Sequence, residues 1–319
     1  MLLDSVLILA GFLLLIKGGD YLVQGAVNIA RAAKLSPMVI GLTVVGFGTS
    51  MPELLVSSQA AWNGSPGIAI GNVVGSNIAN IGLILGLSAI ISPLVIGKKS
   101  LIMHLPIMVA SSVVLAMVGM SGTIPRLTGL GFLCLLGVYT VMMVRDSRLH
   151  PDPNADEQLK DYPTWGIMRA LIITLLSFGA LILGANILVE GATNWAMRLG
   201  EWMGVAPKDM ERIIGLTVVA VGTSLPELFA SVMAAKRGQS EIALGNIVGS
   251  VTFNVLCVIG VASTISPIDG SATGFELSYT ALVGFALLLY LVSFSSRLIT
   301  RLEGVSLLLC YALYLVLIL

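Results

Sequence analysis

The chain has 319 residues, 56% of them hydrophobic and only 11% charged, with a formal net charge of zero. Soluble domains carry roughly 25% charged residues, so the composition excludes an ordinary soluble domain and assigns the chain to the membrane class. The balanced charge offers no basic surface to a nucleic acid. The three cysteines, Cys134, Cys257 and Cys310, lack metal spacing and read as small buried hydrophobes.

Largely apolar runs of roughly 18 or more residues recur along the chain, each long enough to cross a ~30 Å hydrocarbon core as a helix. The first covers residues 6–32. It does not read as a removable signal peptide, because Asp4 rather than a base precedes it and it runs on past Gly25 without a cleavage site. The second covers 37–62, and Asn63-Gly64-Ser65-Pro66 reads as a tight turn. The third ends near residue 92, the fourth covers 101–120 and the fifth 127–144. Residues 145–163 are the long hydrophilic segment, with charges of both signs and three prolines, and read as a linker. The sixth to tenth spans cover 165–199, 212–235, 242–266, 277–294 and 305 to the end. His104 and His150 stand alone at segment ends, against a zinc or histidine-based enzyme.

The two parts are copies. Residues 36–94 align without a gap to 210–268, so that GLTVVGFGTSMPELLVSS from Gly41 returns as GLTVVAVGTSLPELFASV from Gly215. Upstream, Leu22-Val-Gln-Gly-Ala26 matches Leu188-Val-Glu-Gly-Ala192. Five spans in each copy is an odd number, so like halves must enter the membrane with opposite orientation. The expected fold is an all-α membrane protein of ten transmembrane helices in two inverted five-helix repeats. The halves are residues 1–144 and 164–319, joined by a cytoplasmic linker at 145–163. With both termini outside, twelve Lys and Arg fall at inner ends and four at outer ends, which the positive-inside rule favours. Lys17 lies inside the first span and is left out of that count; Asp20, one turn on, is expected to pair with it. Glu190, one turn after Asn186, reads as a structural or rim residue.

Each copy sets a glutamate, Glu53 or Glu227, directly after a proline inside an apolar run. An acidic side chain at a bilayer centre costs about 2.5–3.5 kcal/mol on insertion scales. The proline removes a helix hydrogen bond and frees the carbonyl four residues back, Gly48 or Gly222. Thr49 shares a helix face with Glu53, and Thr223 with Glu227. On the next span Asn72, Ser76 and Asn80 form a stripe at spacing four, matched by Asn246, Ser250 and Asn254. Carboxylate, hydroxyl, amide and carbonyl oxygens without a soft ligand suit a hard cation such as Ca²⁺, Na⁺ or Mg²⁺. For Asn72 and Asn246 the reading as interhelical glue stands equally open.

At GTSMPE and GTSLPE, each followed by GN-V/I-VGS and an Asn, the chain resembles the calcium/cation antiporter superfamily, which includes the sodium/calcium exchangers. The resemblance implies Ca²⁺ and Na⁺ as substrates, no cofactor, no nucleic acid and no obligatory protein partner, with a lipid bilayer around a multi-pass protein of the cytoplasmic membrane. It implies Glu53 and Glu227 as central Ca²⁺ ligands, with oxygens from Thr49, Ser50, Thr223 and Ser224. By the same resemblance Ser76 and Ser250 help bind Na⁺, and Asn80 and Asn254 complete the site. Potassium-dependent relatives carry Asp where Asn254 stands, so no K⁺ requirement is expected. Val251 replaces Asn77 in the second copy, so that position is not expected to coordinate in both halves. H⁺/Ca²⁺ exchange and a cation channel are the competing functions, and no catalytic constellation accompanies the glutamates.

Overall fold

The computed structural model describes residues 2–150, 162–203, 222–270 and 275–318. The first long helix, α1, is Leu2–Ala33, and Pro37 then opens a broken span. That span runs through α2 (Pro37–Ile40), a π-helical turn (Gly41–Val45), α3 (Gly46–Thr49) and α4 (Met51–Trp62), and bends by 48° at Ser50. The third apolar segment is α5 (Pro66–Ala79), a π turn (Asn80–Leu85) and α6 (Gly86–Ile91). Next come a π turn at Ser100–His104 leading into α7 (Leu105–Met120), then α8 (Arg126–Leu149). The second part holds α9 (Ile167–Met203), α10 (Leu225–Lys236) and α11 (Ser240–Phe253). A π turn (Asn254–Ile259) leads to α12 (Gly260–Ile265), followed by α13 (Glu276–Ser296) and α14 (Arg301–Ile318).

Among the described residues eight helices are long and apolar enough to cross a membrane, and the bent pair makes nine. The expected seventh span falls partly on residues 212–221, outside the described residues. The helix α8 continues to Leu149, five residues into the expected linker, where Lys99 and His150 pair with Asp146. Residues 151–161 of the linker lie outside the described residues.

Local structure repeats at the offset read from the sequence. α4, α5, the π turn at Asn80 and α6 recur 174 positions later as α10, α11, the π turn at Asn254 and α12. Even the turn between them repeats. Gly64 and Gly238 both have φ of 72°, a left-handed conformation that a side chain would strain. The N–H of the following residue bonds five positions back in each, Ser65 to Ala60 and Gln239 to Ala234, both at 2.8 Å. This is a glycine-terminated Schellman cap, which satisfies the last carbonyls of the helix.

Burial divides the helices into a core and a periphery. The apolar window of Ser240–Ile265 is 94% buried and that of Gly67–Ile91 72%, against 17% for Arg301–Ile318. α1 and α9 pack side by side along their lengths and run antiparallel, with Gly11 against Gly184 and Leu188, and Gly25 against Thr174. Asp4 and Arg198 close one end of this pair at 3.4 Å. At the core, Gly41 meets Gly245 so closely that a Cβ on either would reach the other's Cα at 3.0 Å. Small residues at such a crossing let two backbones touch.

Two expectations need correcting, and one feature was not foreseen in the helical fold: Leu94–Val95 (β1) pairs antiparallel with Leu298–Ile299 (β4), and Thr123–Ile124 (β2) with Ile268–Asp269 (β3). These span ends cannot extend their helices, so their backbone groups find partners across the two parts of the chain. Asp20 pairs with Arg237 rather than Lys17, and also accepts from Gln24 Nε2 at 3.3 Å. The guanidinium pairs with Asp20 and lies over the Tyr162 ring, while Lys17, which lines the same cavity, forms no ion pair with Asp20. Cys134 and Cys310 are exposed on the protein surface, and Cys257 alone of the three is buried. On a lipid-facing helix hydrocarbon, not protein, covers an apolar side chain. Glu190 is exposed.

Candidate cation-binding site

The bend at Ser50 and its counterpart at Ser224 create the site. Both residues leave helical geometry, with φ, ψ of −84°, 9° and −90°, 6°. A proline then opens the new helix, where its missing N–H is no loss. Glu53 and Glu227 therefore sit in the first turns of α4 and α10, where the exposed N–H groups and the helix dipole favour a negative charge. In the first half the end of the preceding segment, Gly46–Thr49, leaves carbonyl oxygens free for a cation.

The two glutamates are buried, at 0% and 1% exposure. They lie within electrostatic reach of each other, and their surroundings are crossed. Glu53 of the first half faces Thr223 and Ser224 of the second. Glu227 faces Thr49 and accepts a hydrogen bond from Ser50 Oγ at 3.1 Å. Neither carboxylate pairs with a base among the described residues. Glu53 Oε1 and Oε2, Glu227 Oε2, Ser224 Oγ, Asn254 Oδ1 and both amide atoms of Asn80 are buried without a hydrogen-bond partner. Buried polar groups are otherwise almost always satisfied, so this concentration of orphaned oxygens is the mark of a site built for a ligand.

The other predicted residues divide by role. Asn72 Nδ2 donates to the Glu53 carbonyl at 3.3 Å and to Ser57 Oγ at 2.9 Å. Asn246 Nδ2 makes the same pair of bonds to the Glu227 carbonyl, 3.2 Å, and Ser231 Oγ, 2.8 Å. Thr49 Oγ1 donates to Asn246 Oδ1 at 3.1 Å. The two asparagine amides thus hold the glutamate helices in place, which favours the glue reading for their nitrogens. Ser250 is buried and its hydroxyl lies 3.4 Å from the Gly46 carbonyl; Ser76 is also buried. Thr223 is half-buried and lines a cavity of about 340 Å³ with Pro52, Asn186, Gly222 and Pro226. Across the site the Phe178 ring rests on Gly48, leaving no room for a Cβ there.

Three residues were not among the expected set. Ser57 and Ser231 anchor the asparagines, and they were findable because each continues the Thr49–Glu53 or Thr223–Glu227 face by four more residues. Asn77 is buried, donates to the Val251 carbonyl at 3.4 Å and accepts from Asn254 Nδ2 at 3.0 Å. The mismatch with Val251 had argued against its coordinating in both halves. It gave no hint that one copy steers a residue of the other.

This oxygen-only geometry has close relatives. Residues 4–145 and 169–319 match the family described as sodium/calcium exchanger protein. The putative antiporter CaxA of Alkalimonas amylolytica is 36% identical over 98% of this chain and 98% of its own. Sodium/calcium exchanger MaX1 of Methanosarcina acetivorans is 33% identical over 98% and 97%. The solved structure of the sodium-calcium exchanger NCX_Mj, soaked with 10 mM Na⁺ and zero Ca²⁺, superposes with a TM-score of 0.82 at 32% identity, covering 99% of this chain and 98% of that one. The same protein has been solved after soaking with Na⁺ and Sr²⁺, and there the TM-score is 0.83. On the match along nearly its whole length, the chain belongs to the sodium/calcium exchanger family of membrane antiporters.

Proposed function

We propose that the chain is a secondary transporter that exchanges Ca²⁺ for Na⁺ across the cytoplasmic membrane by alternating access. Its ten spans form two inverted five-helix repeats, with both termini outside and residues 145–163 in the cytoplasm. The observation that carries this reading is the pair of buried glutamates, one from each repeat, with three of their four carboxylate oxygens lacking partners. The antiparallel packing of α1 on α9 supports the inverted arrangement. So does the strand pairing, because exchanging the two repeats turns the β1–β4 pair into the β3–β2 pair.

Two ionised glutamates give the empty site a charge of about −2. One Ca²⁺ neutralises it, and so do two Na⁺. A further Na⁺ finds neutral oxygens on Ser76, Ser250, Asn80 and Asn254. Carrying uncompensated carboxylates past an apolar barrier costs several kcal/mol per charge. Loaded forms therefore switch readily and the empty form does not, which makes the site an exchanger rather than a leak. In this orientation the cavity beside Thr223 opens outward and Phe178 on Gly48 closes the inner path. A neutral Asn254 leaves no charge that calls for K⁺.

Radiolabelled Ca²⁺ uptake into proteoliposomes, driven separately by Na⁺, K⁺ and H⁺ gradients, tests the reading. An outward Na⁺ gradient should drive uptake at fixed pH, with no effect of K⁺. Uptake driven by H⁺ alone replaces Na⁺ as the counter-ion, and uptake indifferent to all three overturns exchange.

A further inference from the structure

Lys17 is the base that the site does not use. It lies in the middle of α1, is exposed, and makes no ion pair among the described residues. Two cavities meet at it. The first, about 360 Å³, is lined by Ile16, Lys17, Asp20, Met233, Lys236 and Arg237. The second, about 310 Å³, lies between α1 and α9 and includes Leu14, Lys17, Tyr21, Ile173, Leu176 and Ala180.

The two cavities differ in chemistry. In the first, Asp20 pairs with Arg237, whereas Lys17 and Lys236 have no carboxylate partner among the described residues. Lys236 is the last residue of α10, directly before the left-handed turn at Gly238, so this cavity lies where the chain leaves the hydrocarbon. The long Lys17 side chain can rise to that level along the helix while its stem stays in apolar surroundings. The second cavity is apolar. Its one further polar group besides the Lys17 head and the Tyr21 phenol is Ser177, whose hydroxyl already donates to Ile173 O at 2.7 Å. Leu176, at 68% exposure, and Tyr21 open it to the surrounding lipid.

We infer that the two cavities form one binding site for an anionic phospholipid, its phosphate held by Lys17 and Lys236 and one acyl chain lying in the groove between α1 and α9. A cationic pocket between spans at the membrane surface attracts anionic headgroups. A free phosphate would satisfy the lysines and leave the adjoining groove unexplained. A zwitterionic lipid would fill the groove and bring no net charge to the lysines. The inference rests on the membrane-spanning fold and not on which ions are exchanged. An occupant would tie α1 to the end of α10, the helix that carries Glu227.

The test is native mass spectrometry of the purified full chain, with lipid exchanged from mixed phosphatidylglycerol and phosphatidylcholine nanodiscs. The wild type should retain one phosphatidylglycerol in preference to phosphatidylcholine. Lys17→Gln and Lys236→Gln should each weaken retention roughly fivefold, the share of one basic group near a charged surface. Lys17→Arg should restore it, and an unchanged melting temperature would separate lost binding from lost folding. Leu176→Trp, which fills the groove and leaves both lysines in place, should also release the lipid. Equal retention of the two lipids, or retention that neither lysine variant changes, overturns the site. Displacement by inorganic phosphate with no effect of Leu176→Trp overturns the lipid and leaves a simple anion pocket.

Discussion

Asn72 and Asn246 make the same bonds in the two halves, to the glutamate carbonyl and to the serine one turn beyond it, within 0.1 Å of each other in length. Five residues further along, the halves part. Asn77 donates to the carbonyl of its own counterpart, Val251, so the two equivalent positions touch. A second amide at this dry contact would need partners that the site does not provide. One asparagine is used, and it makes the outer pair unequal. Asn254 is steered by Asn77, while neither amide atom of Asn80 has a partner. The asparagine bonds that hold each glutamate helix are thus duplicated, while the groups around the site differ: Ser50 bonds Glu227, Ser224 Oγ has no partner, and the outer asparagines are unequal. One of these is fixed and the other is left to adjust to the ion it meets.

The duplication can be broken most severely at the glutamates. A unit-charge pair at ~4 Å and an effective dielectric of ~20 is worth about 4 kcal/mol. Glu53→Gln and Glu227→Gln should therefore each lower Ca²⁺ affinity by roughly 1,000-fold, read as equilibrium binding to the purified protein. Similar losses in the two variants would support equal halves, and a variant that still transports would remove its glutamate from the site.

Protons compete for the same oxygens, so Ca²⁺ affinity should fall as pH falls through the range where the carboxylates are titrated. With two carboxylates, the fall approaches about 100-fold per pH unit when both protonate together. Either Gln variant should halve the logarithmic slope. A slope unchanged by both variants would place the competing protons elsewhere.

Asn77→Val leaves the Asn254 amide unpaired, at about 1–3 kcal/mol. It should weaken ion affinity about tenfold while Asn80→Ala, which removes no internal bond, leaves the melting temperature unchanged. If both variants lower the melting temperature alike, the two outer asparagines are equivalent after all.

The smallest expected contrast lies in the fourth and fifth spans. His104 Nδ1 and Tyr139 Oη are 2.8 Å apart in the first half, and Tyr314 Oη donates to Ser278 Oγ at 3.1 Å at the matching place in the second. Tyr139→Phe strands a buried imidazole nitrogen, so its cost is about 1–3 kcal/mol against about 1 kcal/mol for Tyr314→Phe. Thermal unfolding in detergent reads the difference, and equal shifts would erase it.

Much of this was legible in the residues. The repeat, the span count up to the described limits, and the placement of Glu53 and Glu227 in the first turns of helices opened by a proline follow from period, offset and the cost of charge in hydrocarbon. What sequence spacing could not give was who touches whom across the halves. Thr49 bonds Asn246 at a separation of 197 positions, and Asn77 meets Asn254 at 177. Such partners depend on how the halves dock, and the aligned copies carry no information on that contact. Asp20 failed for the same reason, because the local Lys17 was visible in the sequence and the distant Arg237 was not.

The cross-strand pairs carry a consequence for synthesis. β1 and β2 emerge with the first half, and their partners β4 and β3 are made only near the end of the chain. Until then the ribosome-bound half has open backbone edges at span ends and a lone carboxylate in the bilayer, with Ser50 awaiting Glu227. Neither half contains a finished site, so the molecule should mature late and nearly all at once. Two halves expressed as separate chains should be degraded singly and rescued by each other when made together.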